Sequence, residues 1–119
     1  MSEKQEAVVL CCANSYEQKY YLNPQFERLP ETIKAELKIM CVLFTEDIGG
    51  IIMLQFEDDG DLQIQVEAAE TDYLFDEIGC GLKVKEMQNT KYELFRSLEL
   101  YYKVLTGKAK AEDIYKEES

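Results

Sequence analysis

The sequence predicts an α+β fold: two β-hairpins forming an antiparallel sheet, packed against a central helix and a long C-terminal helix. The first observation behind this is a hairpin whose mechanism is visible. Gly50–Phe56 and Asp61–Ala68 flank Asp59-Gly60, a dipeptide that accepts positive φ in a tight turn. Leu62, Ile64, Val66 and Ala68 alternate with Asp61, Gln63, Gln65 and Glu67, so one face is dry and the other wet. The second observation is an apolar stripe at three- and four-residue steps, Ile33, Leu37, Met40, Cys41, Phe44 and Ile48. The third is a near-heptad stripe, Val84, Met87, Leu94, Leu98, Tyr101 and Leu105, which Phe95 and Tyr102 widen.

From the start of the chain, Ala7–Ala13 is a continuous apolar run rich in β-favouring residues. Asn14-Ser15 follow as turn residues, and Tyr16, Tyr20 and Leu22 then fall at period two. This reads as a hairpin of about 7–13 and 17–22, against the competing reading of one helix from Glu3 to Asn14. Asn23-Pro24 ends the element in either case. Pro30 suits the first turn of the central helix, where its missing N–H costs nothing. From Ile39 to Phe44 that helix is apolar all round, which predicts burial on several sides, and Gly49 supplies its stop. After the second hairpin, Thr71 is placed to cap a short helix, Asp72 to Ile78, which Gly79-Cys80-Gly81 interrupts. A long helix then runs from about Leu82 to Thr106; Lys91 breaks its stripe and argues against a free-standing coiled coil. Residues 1–107 read as one domain, and 108–119 as a polar, frayed tail.

Charge narrows the functional classes. The 119-residue chain carries a formal net charge of −11, which opposes nucleic acid and anionic lipid alike. No apolar run approaches the roughly 20 residues of a membrane span, and the first residues do not read as a signal peptide. Cys11, Cys12, Cys41 and Cys80 lie in apolar or glycine surroundings, as reduced thiols do, so the expected compartment is the cytoplasm. With no His in the chain, Ser–His and Cys–His catalysis are excluded and zinc loses its commonest nitrogen ligand. A calcium loop with Gly60 at its sixth position would put Val66 at the twelfth, where a carboxylate is required. No cofactor is expected.

Three functional readings survive. Residues 57–77 hold nine carboxylates and no Lys or Arg. The leading reading is therefore an interaction module, not an enzyme, that meets a basic protein through the acidic hairpin. Its candidate contact residues are Glu57, Asp58, Asp59, Asp61 and Glu67, with Tyr21 as an aromatic neighbour. A homodimer is compatible with it, through the exposed ring of each pair Tyr20-Tyr21 and Tyr101-Tyr102. The alternative is a small-ligand or metal-dependent enzyme using clustered carboxylates, with Glu46-Asp47 as the pair nearest a predicted core. The last is a thiol sensor at Cys80, which lies near the start of a helix with Lys83 and Lys85 close by.

The strings "YEQKYYLNPQFERLP", "IKAELKIMCVLFTEDIGGI", "YLFDEIG" and "LELYYKV" together resemble an uncharacterised family of small acidic bacterial proteins. The resemblance spans about residues 7 to 105 and implies no catalytic or binding residue. In architecture the chain is also similar to small acidic secretion chaperones, which dimerise.

Overall fold

The computed structural model describes residues 7–107, and the predicted frayed tail at 108–119 lies outside them. Four strands, β1 (Val8–Asn14), β2 (Lys19–Leu22), β3 (Ile51–Phe56) and β4 (Leu62–Glu67), form one antiparallel sheet in the order β2-β1-β3-β4. Three α-helices, α1 (Glu31–Asp47), α2 (Glu77–Thr90) and α3 (Tyr92–Leu105), complete the α+β fold.

β1 has neighbours on both sides, which explains its unbroken apolar run. Its register shifts between Val9 and Cys11, so Leu10 is an inserted residue. The bulge lets two consecutive side chains, Leu10 and Cys11, both be fully buried, which a regular strand forbids. Asn23 closes over it: its backbone N–H donates to Leu10 O at 3.0 Å and its Nδ2 to Val9 O at 2.7 Å. The first hairpin is thus a strand pair, and the single-helix reading of the N-terminal run fails. Its turn is held by Asn14 Oδ1, which accepts from the backbone of Tyr16 and Glu17 at 2.9 and 3.2 Å.

Strand register sorts the sheet faces. Leu22, Cys11, Leu54 and Ile64 form one row on the core face, and Tyr20, Ala13, Ile52 and Val66 form the next. Buried residues of α1 (Leu37, Met40, Cys41, Phe44) and of α3 (Phe95, Leu98, Tyr102) join these rows in a single cluster. The ring of Phe56 stacks on Tyr102 with centroids 4.2 Å apart, and Phe26, from a 3₁₀ turn at Pro24–Phe26, tilts against both.

Two sequence expectations need correction. The expected short helix from Asp72 does not form, and Thr71 caps nothing. Instead Asp76 Oδ1 accepts from Gly79 N at 3.0 Å, so α2 starts at Glu77 and runs through Gly79-Cys80-Gly81. The segment ahead of it is tied down by Tyr16, whose hydroxyl donates to Asp72 Oδ2 at 2.6 Å and accepts from Ala69 N at 3.0 Å. The long C-terminal helix is also two helices. It breaks at Lys91, with φ −107° and ψ 22°, the residue that interrupts the heptad stripe.

Between sheet and α1 sits a buried polar cluster. Cys11 Sγ and Cys41 Sγ are 3.9 Å apart, and the Tyr20 hydroxyl is buried beside the thiols with no nitrogen or oxygen partner among the described residues. The adjoining Cys11 thiol and burial push Cys41 up from the ordinary 9.0; burial and the thiols push Tyr20 up from 10.0. A raised folded value means that the folded chain holds these protons more tightly than the unfolded one. The associated stability is complete below pH 9.0 and is lost as pH rises beyond it, where the unfolded chain ionises. Melting temperature should therefore be flat across neutral pH and fall above about pH 9; a rise in alkali would contradict this burial.

Candidate docking surface

The acidic hairpin does not assemble as one surface. Asp58, Asp59 and Asp61 are exposed in the β3–β4 turn, which Gly60 closes at φ 93°, and Glu57 is half-buried there. Asp59 Oδ1 accepts from Asp61 N at 3.0 Å and so shapes the turn itself, while Glu57 Oε2 accepts from Gln55 Nε2 at 2.9 Å and is tied to its own strand. Glu67 closes β4 six residues beyond Asp61, about 20 Å away along the strand. Tyr21, 50% exposed, stands on β2 at the opposite edge of the sheet. The candidate residues are thus four at the turn and two elsewhere.

Nor is the turn free of cations. The stem of Lys103, on α3, lies over Gly60 so closely that a Cβ there would stand 2.8 Å from its Cε. Glu99, one helical turn back, accepts the edge N–H of Leu62 at 2.9 Å. Among the described residues no three His, Cys, Asp or Glu side chains are gathered where they could share a metal ion.

Cys80 lies in the first turn of α2, nearly buried. Burial, then the carboxylates of Glu77 and Asp76, push its thiol above the ordinary value. Of the two expected ammonium neighbours, Lys83 and Lys85, the first does not offset this, because Lys83 Nζ lies 3.5 Å from Asp47 and 3.6 Å from Glu86. These surroundings disfavour the reactive thiolate that a sensor needs.

The feature that sequence reasoning missed lies between α1 and α2. Ile39 and Leu43, expected inside, are 58% and 57% exposed. They flank an open groove of about 480 Å³ floored by Met40, Phe44 and Met87. Met40, Phe44 and Met87 are themselves buried, so the groove is an apolar trough with a raised apolar wall on α1 and a polar wall, Lys83, Glu86, Thr90 and Lys91, on α2.

Ion pairs mark its ends: Lys91 Nζ to Glu36 Oε2 at 3.0 Å, and Lys83 Nζ to Asp47 Oδ2 at 3.5 Å. These pairings require α1 and α2 to run antiparallel. The groove exists because α2 has little to bury. Its sequence, with glycines at 79 and 81, buries only Cys80 and Met87, with Val84 half-buried against the core, so it does not close down on α1. The signal was in the sequence: a helix apolar all round either has neighbours on every side or leaves a face for one. Leu74, Ile78 and Leu82 add further exposed apolar side chains ahead of and along the first turns of α2.

A family model described as a family of unknown function, DUF6145, matches residues 7–110. The chain belongs to the DUF6145 family. No curated protein and no solved structure matches it. The family match covers every element of the DUF6145 chain, from β1 to α3, and both sides of the groove. No helix among its described residues is long and apolar enough to cross a membrane.

Proposed function

We propose that this chain is a non-catalytic interaction module of the cytoplasm that binds a basic protein partner. The observation that carries the reading is the exposed Ile39–Leu43 ridge beside an open apolar groove, on a chain of net charge −11. Exposed contiguous apolar surface marks contact sites, and the charge selects the sign of what makes contact. The carboxylates of the β3–β4 turn contribute a field that speeds encounter, and the groove supplies the contact that persists. The four free cysteines support a reducing compartment. A catalytic reading gains no support from the groove, where the rim carboxylates Glu36 and Asp47 are each paired with a lysine.

Immobilised chain should capture its partner from native lysate at low salt and release it progressively toward molar salt, where screening is nearly complete. The double variant Ile39→Gln/Leu43→Gln, unchanged in charge, should capture much less. Capture that is indifferent to both salt and variant would refute the proposal.

A homodimer is the second reading. It is favoured by the outer sheet face, where Val9, Cys12, Ile51 and Met53 form a half-buried apolar strip that joins no described core residue. Sedimentation of the purified chain separates the two readings, since self-association brings two strongly negative chains together.

A further inference from the structure

We infer that the groove takes an amphipathic helix of the partner, laid between α1 and α2 with apolar residues down and Lys or Arg along its flanks. This rests on the interaction-module reading and specifies its ligand.

The first argument concerns backbone hydrogen bonds. Both walls of the trough are α-helices, whose mid-helix N–H and C=O groups are already bonded within the helix. An extended segment lying there would bury its own backbone donors and acceptors with no partners for them. A helix brings its backbone already satisfied, so the trough accepts it without that penalty.

The second argument is dimension. Glu36 and Asp47, which carry the two ion pairs, are eleven residues apart on α1, about 16 Å at the rise of a helix. Apolar anchors at i, i+4 and i+7 span roughly 10.5 Å and fit between them. The Ile39–Leu43 ridge has the i, i+4 spacing that interdigitates with such a row.

The third argument is charge. Glu36, Asp47 and Glu86 stand on or beside the rim against Lys83 and Lys91, on a chain of −11. The rim pairs leave one carboxylate in excess, so basic flanks on the incoming helix are drawn chiefly by the charge of the molecule as a whole. A second copy of this chain would instead meet its own sign. Charge therefore favours a basic helix over self-association.

The test titrates isotope-labelled full chain with two synthetic peptides of about four helical turns. One carries Leu at i, i+4 and i+7 with Lys and Ala elsewhere; the other has the same composition scrambled. The patterned peptide should bind at least about tenfold more tightly, gain helicity on binding, and shift the resonances of Ile39, Leu43 and Met87. The Ile39→Gln/Leu43→Gln variant should erase the difference between the peptides while leaving the charge unchanged. Equal binding of both, with shifts confined to the Glu57–Asp61 turn, would overturn the groove-bound helix and leave the basic-partner reading standing. No binding of either peptide would sink that reading as well. A dimer at the titration concentration whose dissociation shifts Leu43 would assign the groove to a second copy and overturn the inference.

Discussion

Phe56→Ala should cost about 3–5 kcal/mol of folding stability, the largest loss expected from one substitution in this chain. Phe56 is fully buried at the end of β3, stacked on Tyr102 at 4.2 Å and 2° and tilted against Phe26 at 5.6 Å. With Phe26 and Tyr102 it joins three elements: the sheet, the 3₁₀ turn and α3. Truncation removes the transfer contribution of one ring, leaves a cavity, and deprives Tyr102 and Phe26 of a ring partner. Domains of this size are stable by only about 5–15 kcal/mol, so the variant should unfold at markedly lower urea. Phe56→Leu, which keeps most of the volume, should lose less than half as much. Equal losses for Leu and Ala would mean that stacking, not volume, dominates there. A negligible loss for Ala would mean that the aromatic cluster is not the core.

Gly50→Ala is the second. The residue joins α1 to β3 at φ 73°, where side chains with a Cβ are strained. An added Cβ would also meet Glu67 O at 2.7 Å and the Phe75 ring at 3.0 Å. Backbone carbonyls do not step aside as flexible side chains do, so the end of β4 must shift. The expected loss is about 2–4 kcal/mol by chemical denaturation. Gly49→Ala is the control: it has φ 89° with open space around its Cβ, so it should lose only the strain component, about 1–2 kcal/mol. If the two variants melt alike, the close approach of Glu67 to Gly50 is wrong.

Much of this fold could be read from local chemistry. The Asp59-Gly60 turn, the α1 stripe and the Gly49 stop are each decided by neighbours in sequence, and each stands where expected. The break at Lys91 was harder to read, because Met87 and Leu94 keep seven-residue spacing across it. Periodicity cannot distinguish one helix from two that meet in phase. Asp and Thr are both residue types that cap helices, and only the hydrogen bond from Gly79 N to Asp76 decides that Asp76, not Thr71, does so here.

The site was less legible still. The carboxylates of 57–77 form one run in sequence, but strand pairing sends Glu67 far from the turn, and Lys103 arrives at Gly60 from more than forty residues away. On α1 the difficulty is the reverse. Its all-apolar stretch is a local fact, whereas the failure of α2 to cover Ile39 and Leu43 depends on how little α2 itself can bury.

Urea titration of Ile39→Gln/Leu43→Gln, with peptide affinity measured on the same samples, tests most directly whether those two side chains are surface kept open for a partner. If they are, the variant keeps the parent stability to within about 1 kcal/mol while the patterned peptide loses its advantage. A loss of several kcal/mol, of the size that core truncations give, would mean that the ridge is already packed against something in the free protein. The groove would then be interior, and the docking surface would have to be sought elsewhere.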